Sequence, residues 1–133
     1  MRRFIVLAAA LSCALPAQAA DLTISVSGAT APGTVRTMLF SDAASFDRKT
    51  GGTASFTAQP QAGRAVATFH DLPPGRYAIA AFLDGNANER LDTNLFGVPS
   101  EPFGVSNDAS DFDAAAIALD SGARTVTVTI PLR

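Results

Sequence analysis

Apolar and polar residues alternate along most of the chain after residue 20, and this alternation restricts the fold more than any other feature of the sequence. In the first such segment, Leu22, Ile24 and Val26 alternate with Thr and Ser residues. Successive side chains of a strand point to opposite faces, so this period predicts a strand with one buried face. No segment carries apolar residues at the helical period of about 3.6 residues over ten positions. The chain is therefore predicted to be all-β, without a long helix.

Segments rich in Gly and Pro divide the alternating stretches into about seven predicted strands. These strands lie at residues 22–27, 35–40, 54–58, 64–69, 77–82, 114–119 and 125–130. The fifth is the most apolar, and we expect it to be central in its sheet. Seven short strands with turns between them favour a single antiparallel β-sandwich of Greek-key type. One long acidic loop, residues 84–113, interrupts this pattern.

Two aromatic residues give local expectations within this framework. The polar segment 41–52 contains one large apolar residue, Phe46, which predicts either a loop pinned by that ring or a short helical turn. Tyr77 follows the turn Leu72-Pro-Pro-Gly at the start of a predicted strand. A Tyr at such a corner can donate its hydroxyl proton to an upstream backbone group, as in the tyrosine corner of β-sandwiches. We therefore predict a structural role for Tyr77.

The first nineteen residues have the pattern of a secretory signal peptide. Arg2 and Arg3 precede an apolar stretch of about a dozen residues, and residues 17–19 form an A-x-A cleavage motif. The apolar stretch is shorter than the ~20 residues needed to cross a bilayer, so no membrane span is predicted. Residues 20–133 then form one domain, in the periplasm or secreted. Lipidation at Cys13 is the alternative, although the residues before it fit that signal poorly.

The charge of the predicted mature chain is concentrated in one segment. Cleavage after residue 19 leaves eight basic and twelve acidic residues, a net charge of −4, and removes the only cysteine. A disulfide scaffold and Cys-based metal or nucleophile sites are thereby excluded, and nucleic acid is not an expected partner. Segment 84–113 holds seven carboxylates and a single basic residue, Arg90. Loops of this length are commonly functional, so this segment is the candidate interaction surface.

The first half of the acidic loop resembles a calcium-binding loop of the EF-hand kind. Oxygen-bearing side chains stand at relative positions 1, 3, 5 and 9, and position 7 can offer its backbone carbonyl. The candidate calcium ligands are Asp84, Asn86, Asn88, the carbonyl of Arg90, and Asp92. Glu89 replaces the usual Gly at position 6, and Leu95 replaces the bidentate Glu at position 12. Glu101 or Asp108 would then complete the site.

The same residues also have an interpretation that needs no ion. Asp and Asn side chains accept hydrogen bonds from their own turn backbone in Asx-turns, and such turns alone would account for the spacing. Two aromatic residues of the loop, Phe96 and Phe103, are likewise open to two interpretations. We expect them to anchor the loop on the core, because long loops need apolar contacts, and the alternative is that they form part of an interaction surface.

A family resemblance rests on two stretches of this region. The first runs from Leu72-Pro-Pro-Gly-Arg-Tyr77 to the Asp84-x-Asn-x-Asn motif, and the second is the string of small and polar residues between Leu91 and Asn107. Together they resemble the exported bacterial family known as domain of unknown function 2141. The resemblance implies a periplasmic or secreted β-sandwich, similar in shape to transthyretin-like and carboxypeptidase-regulatory-like domains, without an established activity. The chain departs from the family at Glu89, where Gly is usual, and in the more acidic segment 107–113.

Few residues are available for catalysis. His70 is the only histidine, and its neighbour Asp71 should point to the opposite face of a strand. A His/Cys zinc site and a nucleotide-binding loop are absent from the sequence. We therefore expect an exported, monomeric and non-catalytic domain that binds an unknown partner at the cell envelope or outside the cell. The alternatives are a small hydrolase using the loop carboxylates and a carrier of a small ligand between two sheets.

Overall fold

The structure, a computed structural model, describes residues 19–120 and 125–133. The predicted signal peptide, with Cys13, lies outside the described residues except for its last position. The predicted turn at Ser121-Gly122 also lies outside them.

The described residues are mostly β, with eight strands and three short helical segments. The strands are β1 (Ala20–Ser27), β2 (Thr34–Phe40), β3 (Ala54–Ala58), β4 (Ala65–Leu72), β5 (Gly75–Asp84), β6 (Phe103–Val105), β7 (Ile117–Leu119) and β8 (Thr125–Pro131). The helices are α1 (Ala43–Arg48) and α2 (Phe112–Ala115), and a 3₁₀ turn covers Ser106–Asp108. The short helical turn is thus the correct alternative for segment 41–52.

The strands form two sheets that pack like a sandwich. The smaller sheet has the order β4-β1-β8, and the larger has the order β3-β2-β5, with β6 and β7 both pairing with β5. The prediction that residues 77–82 form a central strand is confirmed, because β5 has neighbours on both sides and is buried from Tyr77 to Asp84. We call the surface of the larger sheet that faces away from the smaller sheet its outer face.

The prediction of a wholly antiparallel arrangement is wrong for one pair of strands. β1 and β8 run parallel, in register from Asp21 opposite Thr125 to Ser27 opposite Pro131. Alternation reports which residues of a strand are buried, and it is the same for parallel and antiparallel neighbours. The alternation therefore does not reveal whether β8 runs parallel or antiparallel to β1.

Two further differences concern the segment after β5. The three-residue strand β6 was not predicted, because it is too short to establish an alternation. The predicted strand at 114–119 is half helix: Asp111 caps α2 by accepting a hydrogen bond from the Ala114 amide at 2.9 Å, and β7 begins only at Ile117. An Asp at this position favours a helix start over a strand.

The main core lies between the sheets. Alternate apolar residues of β1, β2, β4 and β5 meet there, and they include Leu22, Ile24, Leu39, Ile79 and Leu83. The Tyr77 prediction is confirmed at this core, since its hydroxyl donates a hydrogen bond to the Pro73 carbonyl at 2.7 Å.

A second, smaller core covers one half of the outer face. Phe46 of α1 is fully buried there, edge-to-face with Phe40 at 5.7 Å between ring centroids and with Phe112 at 6.2 Å. Ser106 extends the ladder beside β5: its hydroxyl accepts the Ile79 amide proton at 3.0 Å and donates to the Ala115 carbonyl at 2.7 Å. This buried hydroxyl fills the gap between β6 and β7.

One glycine lets β6 approach the end of β8. A Cβ at Gly104 would lie 2.5 Å from the Pro131 carbonyl oxygen, which is closer than atoms can pack. The neighbouring residues Phe103 and Arg133 exchange two backbone hydrogen bonds of 3.1 Å. The edges of the two sheets are joined at this point.

Candidate functional site

The candidate calcium loop begins at the buried end of β5. Asp84 is only 5% exposed, although it is a charged residue. Its Oδ2 accepts a hydrogen bond from the Glu89 amide at 2.9 Å, which closes a tight turn. Its Oδ1 is buried and has no hydrogen-bond partner among the residues that the structure describes. A buried carboxylate oxygen without a partner is costly, because the charged group has lost its water without replacement.

The other three predicted side-chain ligands converge on one another. Both carboxylate oxygens of Asp92 accept hydrogen bonds from side-chain amides, one from Asn86 and one from Asn88, the latter at 2.6 Å. The carbonyl oxygens of the same two amides accept backbone protons two residues further on, from Asn88 at 3.3 Å and Arg90 at 3.0 Å. These last two contacts are the Asx-turns of the ion-free interpretation.

The backbone of the loop makes the sharp turn of a calcium loop, although the residue at the turn, Glu89, is not a glycine. Glu89 stands where calcium loops usually have Gly, and it adopts a positive φ of 64°. Ala87 does the same at 58°. Residues other than Gly, Asn and Asp seldom adopt this conformation. The side chain of Glu89 turns outward, where its Oε1 lies 3.4 Å from Nη2 of Arg36.

Glu101 and Asp108 were the two predicted additional ligands, and the structure uses them differently. Glu101 joins both ends of the loop, because its two carboxylate oxygens accept the amide protons of Gly85 and Asp92, each at 3.1 Å. Asp108 instead forms an ion pair with Arg133 at 2.9 Å. The described residues contain no cluster of three or more His, Cys, Asp or Glu side chains arranged for a metal ion. The oxygen atoms that the loop could offer to a cation thus belong to both carboxylate and amide side chains.

The loop continues into an apolar tip, Leu95–Val98, which extends into solvent. Asn94 organises the tip: its side-chain oxygen accepts the amide protons of Phe96 at 2.9 Å and Val98 at 3.1 Å. Leu95 is fully exposed and Phe96 is 89% exposed. The expectation that Phe96 anchors the loop is therefore wrong. Phe103 does anchor it, because its half-buried ring packs against the second core.

A cleft lies beside this tip on the outer face of the larger sheet. It has a volume of about 370 Å³ and lies between residues 47–50 and the loop segment 89–99. A second cleft of about 350 Å³ adjoins it over β2 and shares Met38, Lys49, Thr50 and Glu89 with it. We call the two together the outer cleft. Sequence reasoning missed it, because its walls come from segments about forty residues apart.

Lys49 shows how the outer cleft is built at the end of α1. It ends the helix with a φ of 53°, and its ammonium donates to the Phe46 carbonyl at 2.6 Å. The same ammonium lies 3.7 Å above the centre of the Phe46 ring. Burial against this ring lowers the pKa of Lys49. Lys49 thus connects the second core to the open cleft.

The single histidine stands elsewhere, on the smaller sheet. His70 is largely exposed and pairs through Nδ1 with Asp21 at 3.2 Å, as expected for a surface residue. The Asp71 amide and the His70 ring both donate hydrogen bonds to Asp21, and they lower the pKa of its carboxyl group in that order of importance.

No helix in the described ranges is long and apolar enough to cross a membrane.

Comparison with known proteins identifies the family. Residues 24–127, from β1 to β8, match the model of DUF2141, described as an uncharacterized protein conserved in bacteria. The chain belongs to this family. The resemblance seen in the sequence is thereby confirmed over both the strands of the two sheets and the acidic loop. No curated protein and no solved structure matches the chain.

Proposed function

We propose that this DUF2141 protein is an exported, non-catalytic Greek-key β-sandwich that serves as a binding or structural module of the cell envelope, and that its loop 84–92 holds one calcium ion. The N-terminal pattern of residues 1–19 supports export to the periplasm or the medium. The hydrogen bonds of the acidic loop support the second part. Asp84, Asp92 and Glu101 all accept hydrogen bonds from the loop itself, which favours a structural or ion-holding role over acid–base chemistry.

The unpartnered Oδ1 of Asp84 carries the calcium proposal. In a metal-free loop this oxygen loses its hydration and gains nothing in return. A hard cation bound to it would compensate for that loss, and calcium accepts the carboxylate and amide oxygens available here. The positive φ of Glu89 supports the proposal, because position 6 has the backbone conformation that calcium loops require.

The proposed ligand set consists of Asp84, Asn86, Asn88, Asp92 and the Arg90 carbonyl, with Glu101 as a further carboxylate. Calcium would have to draw the three carboxylates together, because the described residues do not hold them as a metal-binding cluster. The two Asn side chains currently donate to Asp92, so calcium binding requires them to turn their carbonyl oxygens toward the ion. This rearrangement gives up existing hydrogen bonds, and we therefore expect an affinity in the range of extracellular calcium modules, a Kd of about 10⁻⁴ to 10⁻³ M.

Thermal unfolding of the mature chain tests the proposal. Ten millimolar calcium is about 10 to 100 times the expected Kd, which stabilises a one-site protein by about 1.4 to 2.7 kcal/mol. For a domain of this size we expect Tm to rise by about 5 to 10 °C relative to chelator. The variant Asp84→Asn should lose the rise, whereas the exposed control Asp113→Asn should keep it. An unchanged Tm in calcium would leave the Asx-turn interpretation as the correct one.

A further inference from the structure

The outer cleft gathers positive charge in a chain that is acidic overall. Four of the seven basic residues in the described ranges line it, whereas only two of the twelve acidic residues do, Asp47 and Glu89. The basic residues are Arg36, Arg48, Lys49 and Arg90. The sequence placed the candidate interaction surface in the acidic loop, but the loop and the helix α1 enclose a basic cleft between them.

Several cationic donors of the cleft are free to meet an anion. Glu89 pairs with Arg36 through Nη2, but the Arg36 Nε is buried without a hydrogen-bond partner in the described part of the chain. The Arg90 side chain forms no hydrogen bond or ion pair with any described residue, and only its backbone amide is engaged. Lys49 uses one of its three protons on the Phe46 carbonyl. The exposed Arg90 guanidinium and the remaining Lys49 protons are thus available to an anion in the cleft, whereas the Arg36 Nε is an unsatisfied donor buried beneath it.

The floor and rim of the cleft are apolar. Met38, Phe82 and Phe103 form the floor, and Leu91 and Pro99 lie on the loop side. The tip Leu95–Val98 continues this apolar surface at the rim, since Gly97 and Pro99 line the cleft while Leu95 and Phe96 are exposed beside it. Contiguous exposed apolar side chains mark interaction sites more often than isolated ones do. A cleft of about 370 Å³ is within the size range of small-molecule sites.

We propose that the outer cleft binds a small soluble organic anion in which a carboxylate is carried on an apolar body. The carboxylate lies among Arg36, Arg48, Lys49 and Arg90, and the apolar body lies on Met38 and Phe103 beneath the loop tip. The proposal rests on the proposed function only in treating the chain as a binding module. It does not require the calcium ion, although the loop that would hold the ion forms one wall of the cleft.

A matched set of three ligands tests the two halves of this chemistry. The probes are 3-phenylpropionate, its neutral analogue 3-phenylpropanamide, and acetate, each titrated into ¹⁵N-labelled mature protein. We expect saturable amide shifts with 3-phenylpropionate at residues 47–50 and 89–99. The ligand 3-phenylpropanamide should bind at least about tenfold more weakly because it lacks the charge. Acetate should also bind at least about tenfold more weakly because it lacks the apolar body.

Variants of the cleft locate the binding site. The double variant Arg48→Gln, Arg90→Gln should weaken 3-phenylpropionate binding about tenfold or more, while the exposed control Arg64→Gln outside the cleft should leave it unchanged. A Tm measurement on each variant confirms folding. Should the double variant fail to fold, the comparison between the acid and its amide on the unaltered protein still decides the question.

Three outcomes would overturn the proposal. Equal binding of the acid and the amide would remove the role of the basic residues, and shifts centred elsewhere would remove the cleft. Binding to phosphatidylglycerol vesicles without binding of the soluble acid would make the tip a membrane-docking surface instead. Each titration is run in calcium and in chelator. The calcium proposal fails on an unchanged Tm, whereas the cleft proposal fails on the position or the ligand selectivity of the chemical shifts, so the two failures are distinguishable.

Discussion

The outer face of the larger sheet is closed at one end and open at the other. At the closed end, α1 and α2 place Phe46 and Ala115 over Phe40, and these side chains are fully buried. At the open end, the same strands present Arg36 and Met38 to the outer cleft. The strands are continuous between the two ends, so the difference comes from the connecting segments and not from the sheet.

The comparison between the closed end and the open end distinguishes residues that stabilise the fold from residues that are available for binding. A closely packed, buried aromatic cluster stabilises the fold through each of its contacts, so substitutions at the closed end are expected to destabilise the protein. The open end buries its apolar floor only in part and keeps charged groups at its walls, which folding alone does not require. We infer that the closed end holds α1 in place and that α1 in turn forms one wall of the cleft through Lys49.

The largest expected difference between the two ends is in core truncation. Phe46→Ala should lower the free energy of unfolding by about 3 to 5 kcal/mol, because a fully buried ring is removed from between two others. Met38→Ala should cost less, about 1 kcal/mol, since this side chain lines the outer cleft and is only half buried where it packs against the second core. Urea denaturation of both variants measures this difference, and equal losses would contradict the division into a closed and an open end.

A smaller effect is expected from the buried hydroxyl at the closed end. Ser106→Ala leaves the Ile79 amide and the Ala115 carbonyl without their partner, which should cost about 1 to 3 kcal/mol. Hydrogen exchange at the Ile79 amide should accelerate more than at amides of β1. Ser100→Ala provides the control, because Ser100 is exposed and its described contact is a backbone one. Unchanged protection at Ile79 would show that the hydroxyl does not hold β6 and β7 against β5.

The smallest effect concerns the cap of α1 and depends on pH. The Ser45 hydroxyl at 2.6 Å and then the Ser45 amide at 2.8 Å donate to the Asp42 carboxylate and lower its pKa below the ordinary 3.8. A carboxyl group with a lowered pKa in the folded state stabilises the protein above pH 3.8, and this contribution is lost as pH falls through the lowered value.

Asp42→Ala should therefore lower Tm at neutral pH, and the difference from the unaltered protein should shrink in acid below pH 3.8. The exposed Asp47→Ala on the same helix is the control, because the described residues give its carboxylate no capping contact. A Tm difference for Asp42→Ala that is constant from neutral pH to pH 2 would mean that the cap acts through packing and not through its charge.

Local chemistry explains the features that were predicted correctly. The alternation of β1 and the corner before Tyr77 depend on residues a few positions apart, so they can be recognised in a single sequence. The Asx-turns of Asn86 and Asn88 likewise join residues two positions apart. The parallel pairing of β8 and the exposure of Phe96 were missed, because they depend on segments distant in the sequence. The strand β6 was missed because three residues are too few to establish an alternation.

The sequence by itself determined the class of fold, the inward face of each long strand, the family and the composition of the acidic loop. Only the tertiary structure decided that Glu101 joins the loop across sixteen residues and that Asp84 is left with a buried unpartnered oxygen. It also decided that four basic residues meet in one cleft. The physical reason is that local preferences act within a few residues, whereas the surfaces that fold against each other are chosen by the apolar area they bury together.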